Sequence, residues 1–471
     1  MTIALEICIL AAGKGTRMKT ATPKILQPIA GSPMLAHVVA TARALSPQAI
    51  HLVVSEDYEP LKAAIEDKGD LNWVVQSEQL GTGHAVQQAA PHLDTSAATL
   101  ILLADVPLLA QETLQPLFQT DADVAVLTVN LEDPRGYGRI QRNAAGAITG
   151  IVEDKDATPE ERLITEINSG IFRVSAGRLP ALLEKLSNDN RQQEYYLTDI
   201  VGIAAGDGLG VAAVLTEAVE EVSGVNDLVQ LAAAERSFQR RQAESLMRAG
   251  VRIIDPTRVD IRGLVNFGQD VVIDVNTVIE GPCSLGDGVV IEPGCVIRGS
   301  TIGAGSRIKA QSNLEGATLG AACQVGPFAR LRPGTRLADA VAIGNFVEVK
   351  QTTMGEGSKA SHLSYLGDAT IGKQVNIGAG TITCNYDGVN KWQTVLDDEV
   401  FVGSNTALVA PVTVGKGATI GAGSTITGNL SEAALGVARG RQRNIEGWPR
   451  PEKLTEAPGL VIKGRTPPSG E

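Results

Sequence analysis

The chain has 471 residues, more than one hydrophobic core usually organises, so two or three domains are expected. Its net charge is −12 and it contains no long basic run, which argues against nucleic acid or an anionic membrane as a partner. Aromatic residues make up only 3% of the chain, against 51 glycines, which indicates a core of small and branched side chains built partly from repeats.

The cysteines and the N-terminus indicate a cellular compartment. Five cysteines are scattered along the chain, and no two have the spacing of a metal-ligand pair. This pattern favours free thiols in a reducing compartment, and hence the cytoplasm. Residues 1–12 are apolar but too short to span a membrane and lack a basic start, so neither a signal peptide nor membrane insertion is expected.

Up to about residue 224, short apolar runs alternate with helical patterns. The runs predicted as buried strands are 5–10, 50–54, 72–75, 100–103 and 124–129. The predicted helical pieces are 33–45, 82–90 and 181–186. This alternation predicts an α/β domain around a largely parallel sheet.

A glycine-rich loop follows the first predicted strand, at residues 10–18. Gly13 and Gly15 let the backbone approach a ligand, and its N–H groups can hold phosphates. Nearby positive charge comes from Lys14, Arg17 and Lys24. The loop matches neither the P-loop of ATPases nor the GxGxxG loop of dinucleotide-binding folds, so an ordinary strand-to-helix turn stays the alternative.

Two further features support a ligand site in this half. Residues 76–83 form a polar, glycine-containing turn that opens a helix, and Asp105 follows a buried strand. Ligands bind α/β sheets at the carboxyl ends of strands, and a carboxylate there suits Mg²⁺. A helix cap or turn residue is the alternative interpretation of Asp105.

Residues 226–250 have a helical period with charge on one side. Asn226 or Asp227 can cap the start of this helix, and Gly250 can end it. The segment predicts a stiff helical spacer between domains.

From about residue 250, aliphatic residues recur every six positions. The first runs contain Ile261, Phe267, Ile273, Ile279, Leu285, Ile291 and Ile297, then, after a one-residue slip, Ile302, Ile308 and Leu314. Later runs contain Leu319, Val325, Leu331, Leu337, Ile343 and Val349, then Val402, Leu408, Val414, Ile420 and Ile426. This period predicts a parallel β-helix with three hexads per triangular coil and coils about 4.8 Å apart. A β-sandwich with chance spacing is the weaker alternative.

Two segments, 351–370 and 383–401, break this period and are expected to leave the core as loops that carry functional residues. The first contains His362, and an imidazole can accept a proton near neutral pH. A surface histidine without a catalytic role is the alternative. Arg332 and Lys350 are 18 positions apart, one full coil, so they are expected to stack as a cation pair that could hold a phosphate.

These motifs resemble known enzymes. The glycine loop with Pro23-Lys24 resembles the signature of sugar-phosphate nucleotidyltransferases, and with segments 79–82, 136–139, 166–168 and 224–226 the chain resembles the bifunctional GlmU family over about residues 5–450. The resemblance implies a Rossmann-like α/β nucleotidyltransferase domain joined by a helix to a left-handed parallel β-helix of hexapeptide repeats. The implied boundaries are 1–225 for the first domain, 226–250 for the linker, 251–437 for the β-helix and 438–471 for a tail.

For the first domain, the resemblance implies uridylyl transfer from UTP to N-acetylglucosamine-1-phosphate, with release of pyrophosphate. It implies that Arg17 is catalytic and that Asp105 and Asn226 hold Mg²⁺. The implied UTP- and product-binding residues are Leu10, Ala11, Ala12, Gly13, Lys24, Gln76, Gly81, Thr82, Gly138, Glu153, Asn168 and Asn226. The family commonly has glycine before the metal-binding aspartate, and the methyl group of Ala104 is expected near the ligand.

For the β-helix, the resemblance implies acetyl transfer from acetyl-CoA to glucosamine-1-phosphate in a homotrimer whose sites lie between subunits. His362 is the implied general base. The implied sugar-phosphate-binding residues are Arg332, Lys350, Tyr365, Asn376 and Lys391. The implied acetyl-CoA-binding residues are Ala379, Asn385, Tyr386, Ser404, Ala422 and Arg439. Cys384 lies beside this site and is given no role.

Two other classes of protein share parts of this pattern. A pyrophosphorylase with a single activity would carry a regulatory β-helix, against which His362, Tyr365 and the Asn385-Tyr386 pair argue. A non-catalytic assembly protein would lack the phosphate and metal ligands, whereas Arg17 and Asp105 are present.

Overall fold

The structure is a computed structural model that describes residues 4–13, 15–66 and 69–451. Lys14 and the last part of the predicted tail, from residue 452, lie outside the described residues. We call the residues before 228 the front half and those after 248 the rear half. The helices are α1 (Met34–Ala44), α2 (Glu59–Ala64), α3 (Thr82–Ala89), α4 (Gln111–Leu114), α5 (Leu179–Leu183), α6 (Asp199–Gly206), α7 (Val219–Val222) and α8 (Leu228–Arg248).

A twisted sheet with helices against it forms the front half. In spatial order its strands are Val211–Thr216, Val124–Asn130, Glu166–Val174, Ala98–Leu103, Leu5–Leu10, Ala49–Val54 and Leu71–Val75. Strands Arg139–Arg142 and Ile148–Val152 form a hairpin that extends from Glu166–Val174, and Pro28–Ile29 pairs with Ser32–Pro33. Each predicted strand and helix of this half is found, with ends shifted by at most three residues.

The sheet is mixed. The strand Leu5–Leu10 runs parallel to both of its neighbours, as predicted. Glu166–Val174, which the apolar pattern did not predict, lies antiparallel between Val124–Asn130 and Ala98–Leu103. Its register shifts between Asn168 and Phe172, where Gly170 has a φ of 79°. This bulge places polar residues of a central strand at the ligand-binding edge of the sheet.

The rear half is a triangular prism of stacked parallel strands, and we number its three faces. Face 1 contains Arg252–Ile253, Val272–Ile273, Val290–Ile291, Arg307–Ile308, Gln324–Val325, Ala342–Asn345, Lys359–His362, Asn376–Ile377, Phe401–Val402, Thr419–Ile420 and Leu435–Gly436. Face 2 contains Val259–Arg262, Thr277–Glu280, Val296–Arg298, Asn313–Glu315, Arg330–Leu331, Glu348–Lys350, Tyr365–Gly367, Ile382–Cys384, Ala407–Val409 and Thr425–Ile426. Face 3 contains Val265–Phe267, Cys283–Leu285, Thr301–Ile302, Thr318–Leu319, Arg336–Leu337, Thr353–Met354, Ala369–Ile371, Thr394–Leu396 and Val412–Val414.

The predicted aliphatic residues form the core of this prism. All of them are buried except Phe267, which is partly buried and packs against the others. Ile291 pairs with Ile308, whereas the step from Val325 to its partner Ile343 is longer by a single residue. A coil therefore tolerates one residue more or less at a corner, which explains the slips in the period.

The prediction that 351–370 is a loop is wrong. Met354, Ala360, Leu366 and Ile371 are buried in the prism core, and each pairs in register with a residue of the preceding coil. The segment follows a corner one residue shorter, and Ala360 fills an inward position with an unusually small side chain. His362 therefore lies on a regular strand of face 1, not on a loop.

The second interruption does contain an excursion. Ile377 pairs with Val402, a longer step than the others on face 1, and the extra residues leave the prism between Cys384 and Thr394. We call residues 385–393 the face 2 loop. Within this loop, Tyr386 and Lys391 pair in an isolated antiparallel β-bridge.

Helix α8 is predicted as a spacer, and the structure shows that it also packs against both halves. Asp227 caps it by accepting a hydrogen bond from the backbone of Gln230, at 2.8 Å. Glu235 accepts the backbone N–H of Ala30 in the front half, at 2.7 Å. The buried Gln239 makes a reciprocal pair with the backbone of Ile261 in the rear half, at 2.8 and 2.9 Å. Among the described residues, no helix combines the length and the apolar character needed to cross a bilayer.

Candidate active sites

The front site is a cavity of about 490 Å³ at the carboxyl edge of the parallel strands. Its lining includes eight residues of the predicted UTP- and product-binding set, together with the predicted metal ligand Asp105. The eight are Leu10, Ala11, Ala12, Gly13, Lys24, Gln76, Gly81 and Thr82. The backbone of this edge is fixed by Ala11, whose N–H donates to Val53 O at 2.7 Å, and by Gln76, whose N–H donates to Val54 O at 2.8 Å. The structure therefore gathers residues that lie far apart in the sequence into one concave surface.

At two positions beside this cavity, only glycine fits the backbone conformation and the space available. Gly15 has a φ of 58°, and a Cβ there would collide with the side chain of Lys24. Gly81 has a φ of 112°, and a Cβ there would lie 2.6 Å from the carbonyl oxygen of Tyr195. The segment around Tyr195 is thus held directly against the turn that opens α3, a contact that the sequence pattern did not indicate.

A second cavity of about 190 Å³ adjoins the first and shares Thr82, Leu103 and Asp105 with it. Its lining contains four further residues of the predicted UTP- and product-binding set, Gly138, Glu153, Asn168 and Asn226. Asn168 is positioned by the bulge, since its side-chain oxygen accepts the N–H of Gly170 at 2.8 Å and its own N–H donates to Gly138 O at 2.9 Å.

Glu153 lies in a strongly desolvated part of this second cavity. Burial raises the pKa of its carboxyl group, and the nearby carboxylates of Asp199, Asp156 and Asp154 raise it further, while a hydrogen bond from Thr198 opposes the shift. The Thr198 hydroxyl donates to Glu153 Oε1 at 2.9 Å. The sequence did not identify Thr198, which lines the cavity and holds Glu153 in place.

The predicted metal ligands converge between the two cavities. Lys24 Nζ lies 2.5 Å from Asp105 Oδ2 and 3.2 Å from Asn226 Oδ1, and Arg17 donates to the same Asn226 oxygen at 2.7 Å. Two hard oxygen atoms therefore meet at a single cationic position, a donor set that suits Mg²⁺. Among the described residues, no group of three or more His, Cys, Asp or Glu side chains gathers into a metal site.

The methyl group of Ala104, expected near the ligand, does not line either cavity in the structure. Ala104 is 1% exposed and packs in the apolar core of the front half. Its neighbours Leu103 and Asp105 line both cavities. The strand ends at Leu103, and in the turn that follows Ala104 packs inward while Asp105 lines the cavities.

The rear site begins with a column of residues that follow the strands of face 1. Asn345 pairs in register with His362, and the positions two residues beyond Ile377, Val402 and Ile420 continue the column on later coils. These positions are Ala379, Ser404 and Ala422. Three residues predicted to bind acetyl-CoA therefore lie in line with the predicted base, and Arg439 caps the column by donating to Ala422 O at 2.6 Å.

His362 is exposed and oriented by a neighbour. Its Nδ1 lies 2.8 Å from Asn345 Oδ1. Because an amide oxygen can only accept, Nδ1 carries the proton and the lone pair is on Nε2. The sequence did not identify Asn345, although it lies one coil before His362.

Charged residues gather on the adjoining face 2. Arg332 directly follows one strand and Lys350 ends the next, and these two strands are paired in register, as the spacing of 18 predicted. Arg332 donates to Glu348 Oε1 at 2.9 Å, and Lys350 Nζ lies 3.9 Å from Asp368 Oδ2. Lys391 lies on the face 2 loop, and the nearby Lys350 lowers the pKa of its ammonium group. The cationic side chains of this cluster therefore have carboxylates beside them, those of Glu348 and Asp368. The sequence did not identify these two carboxylates as part of the site.

The remaining predicted residues of the rear site lie on different elements. Tyr365 pairs with Glu348 on face 2, and Asn385 and Tyr386 begin the face 2 loop. Asn376 lies on face 1, in register with Lys359, so within one chain it belongs to a different face from Tyr365. Cys384 is partly exposed beside the loop, and all five cysteines are free thiols in the structure.

An exposed apolar column adjoins His362. Phe328, Phe346 and Leu363 occupy the same corner on three successive coils, each with a φ between 48° and 55°. They are 51%, 57% and 62% exposed, and the two phenyl rings stack with centroids 5.4 Å apart. Large apolar side chains are unusual at exposed corners with positive φ.

Comparisons with known proteins agree with this division of the chain. Residues 7–191 match the MobA-like NTP transferase domain. Residues 261–354 match the GMPPB C-terminal domain, and residues 393–428 match the bacterial transferase hexapeptide model of six repeats. With the three parallel faces, these matches identify the rear half as a left-handed β-helix of hexapeptide repeats.

Curated relatives match almost the whole chain. A bifunctional protein GlmU of Marinobacter nauticus is 55% identical over 451 residues, covering 95% of this chain and 99% of the relative. The proteins of the same name from Idiomarina loihiensis and Stutzerimonas stutzeri are each 54% identical, covering 95% and 96% of this chain and 98% and 100% of the relatives. The chain therefore belongs to the bifunctional GlmU family.

Proposed function

We propose that the chain makes UDP-N-acetylglucosamine by two successive transfers: acetylation of glucosamine-1-phosphate in the rear site, then uridylylation of the product by UTP in the front site. One observation carries the proposal. Two cavities meet at Lys24, Asp105 and Asn226 in the front half, and an oriented imidazole stands beside a cation cluster in the rear half.

In the front site, a phosphate oxygen of N-acetylglucosamine-1-phosphate attacks the α-phosphorus of UTP, and the bond to the leaving pyrophosphate breaks. The glycine loop and Lys24 hold the nucleotide phosphates in the larger cavity, while Glu153 and Asn168 hold the sugar in the smaller one. Arg17 stabilises the charge that develops on the transferred group. The chain thus contributes position and positive charge, which suffice for phosphoryl chemistry without a protein nucleophile.

Asp105 and Asn226 would hold Mg²⁺ in this site. The ion would neutralise phosphate charge and align the reacting oxygens. With the ion held by Asp105 and Asn226, the ammonium of Lys24, which contacts Asp105 in the structure, would be available to the phosphates. The support for this assignment is the convergence of both side-chain oxygens on a single cation.

In the rear site, the amine of glucosamine-1-phosphate attacks the thioester carbonyl of acetyl-CoA, and His362 Nε2 takes the amine proton. The carbon–sulfur bond then breaks, and CoA leaves as a thiol after protonation. Arg332, Lys350 and Lys391 bind the sugar phosphate, with Tyr365 and Asn376 as further contacts. The column of Ala379, Ser404 and Ala422, with Asn385, Tyr386 and Arg439, binds acetyl-CoA.

Three copies of the chain would assemble through the rear half. Support comes from the apolar column of Phe328, Phe346 and Leu363, which a second copy would cover, and from the position of Asn376 on a different face from Tyr365. A neighbouring copy would bring these two faces together around His362. The cytoplasmic location remains a prediction from the cysteine pattern.

The test is a two-part assay of the purified protein. Pyrophosphate release is followed with UTP, Mg²⁺ and N-acetylglucosamine-1-phosphate, and thiol release is followed with acetyl-CoA and glucosamine-1-phosphate. Asp105→Ala should abolish only the first activity and His362→Ala only the second, while light scattering should give the mass of three copies. A wild-type protein that releases pyrophosphate but no thiol would favour a pyrophosphorylase with a regulatory β-helix.

A further inference from the structure

Asp368 lies at the centre of the rear cation cluster, although no motif identified it. Its side chain is 22% exposed, its Oδ2 lies 3.9 Å from Lys350 Nζ, and the same oxygen accepts a hydrogen bond from the amide of Asn385. Its backbone is equally engaged, because its N–H donates to Lys350 O at 3.1 Å and its carbonyl accepts the N–H of Thr394 at 3.2 Å.

These contacts fix both ends of the face 2 loop. Asn385 begins the loop and is held by the Asp368 side chain, while Thr394 follows the loop and is held by the Asp368 carbonyl. The φ of Asp368 is 49°, a conformation that Asp and Asn adopt more readily than most residues. A single residue on one coil therefore determines where the loop leaves and rejoins the prism.

The loop carries Lys391. The neighbouring Lys350 is the main cause of a lowered pKa of Lys391, and the negative charge of Asp368 opposes that shift. Two neighbouring cations repel each other, and an anion between or beside them offsets that repulsion. Asp368 is that anion, and it contacts the strand of Lys350 and the loop of Lys391 at once.

We propose that Asp368 is the positioning residue of the sugar-phosphate subsite: it holds Lys350 and the Lys391-bearing loop together so that both ammonium groups address one phosphate. The inference rests on the acetyl transfer proposed above and extends it by assigning a role to a residue that need not touch the substrate. It predicts that the charge of Asp368 acts on phosphate binding and not on proton transfer by His362.

Two substitutions separate the charge of Asp368 from its hydrogen bond. In Asp368→Asn, an amide oxygen can still accept from Asn385 and the backbone conformation is tolerated, but the negative charge is lost. In Asp368→Ala, both the charge and the acceptor are lost. Asp398→Asn is the matched control, because Asp398 is also a partly buried prism aspartate, accepting the N–H of Lys373 at 2.7 Å, but on a coil outside the cluster.

The experiment is steady-state acetyl transfer at varied glucosamine-1-phosphate and pH. Asp368→Asn should raise KM about fivefold, the effect of losing a partly exposed ion pair, with kcat nearly unchanged. The loss of kcat/KM at alkaline pH should begin at lower pH, because Lys391 loses the charge that keeps it protonated. Asp368→Ala should lower kcat as well, since the loop loses an attachment, and Asp398→Asn should match the wild type.

A double-mutant cycle with Lys391→Met adds a readout that a structural defect would not produce. If Asp368 acts through Lys391, combining the two substitutions should raise KM by clearly less than the product of the separate effects. Pyrophosphate release by the front half should be unchanged in every variant, which reports that the chain is folded. A wild-type KM and pH profile in Asp368→Asn would overturn the inference and leave acetyl transfer intact. A wild-type chain without acetyl transfer would instead overturn the proposed function, and the inference with it.

Discussion

Asn345 and His362 stand on adjacent strands of face 1, paired in register, with Asn345 Oδ1 2.8 Å from His362 Nδ1. Both residues are supplied by regular coils of the prism, so the backbone that orients the imidazole is as fixed as the core beneath it. The amide oxygen selects the tautomer that carries the proton on Nδ1 and leaves the lone pair on Nε2. A catalytic group positioned in this way needs no loop rearrangement before it accepts a proton.

Replacing Asn345 by Ala should therefore lower the kcat of acetyl transfer about tenfold and leave KM nearly unchanged. Removing the imidazole altogether, in His362→Ala, should cost about 10²- to 10⁴-fold, the usual contribution of a general base. The measurement is CoA thiol release under saturating substrates. Asn266→Ala, at an exposed site on face 3, serves as control, and an Asn345→Ala enzyme with full kcat would show that the hydrogen bond does not orient the base.

Glu153 should make the stability of the protein depend on pH. Because burial raises its pKa above the ordinary 4.5, the folded protein binds this proton more tightly than the unfolded chain does. That contribution is fully present below pH 4.5 and is lost as the pH rises through the raised folded value. Near neutral pH the buried carboxylate is therefore destabilising.

Glu153→Gln, which has no charge to bury, should accordingly melt at a higher temperature than the wild type near neutral pH. The difference should shrink as the pH falls and vanish below 4.5, while binding of N-acetylglucosamine-1-phosphate weakens. Thermal midpoints measured across this range give the comparison. Glu132→Gln, on the exposed surface, should show no such trend, and a constant difference at all pH values would rule out the titration of Glu153 as the cause.

Met354 tests the finding that residues 351–370 form a coil of the prism. Its side chain is fully buried and stacks between Leu337 and Ile371. Met354→Ala should lower the free energy of unfolding of the rear half by about 2–5 kcal/mol, the cost of truncating a core side chain. Met247→Ala provides a matched control, because Met247 is 43% exposed on α8. Equal, small effects of both substitutions in denaturant titrations would contradict the burial of Met354.

The sequence predicted the elements whose pattern comes from burial alone. The parallel strands of the front half are continuous apolar runs, and the prism repeats a buried aliphatic residue every sixth position. The strand Glu166–Val174 was not predicted, because its apolar run is interrupted at the bulge by Asn168, Ser169 and Gly170. The coil that contains Met354 and Ala360 was not predicted either. A corner shorter by one residue shifts the six-residue period there, and an alanine at an inward position is hard to distinguish from the small residues at other positions.

The site residues also divide into those that the sequence predicted and those that it did not. Motifs led to the cavity walls and to His362. The partners that motifs did not reveal come from different elements: Thr198 precedes helix α6, Asn345 lies on a strand of face 1, and Asp368 lies at a corner of the prism. Asn345 and Asp368 each lie one coil before the side chain that they contact, while the coil that leads from Lys350 to Asp368 is longer by one residue. Since a coil can have either length, spacing alone does not decide which side chains become neighbours. The length of each corner sets the register between successive coils, and this register decides which side chains become neighbours.

Helix α8 has a practical consequence for anyone who wishes to express the two halves separately. A chain that stops before residue 228 would leave Met18, Met34 and Leu108 without the cover of Leu231 and Phe238, and would invite aggregation. A chain that starts after residue 248 would leave the N–H and carbonyl of Ile261 without Gln239. Either fragment needs its own copy of the helix, and chimaeras between relatives should exchange halves only with the matching helical surface.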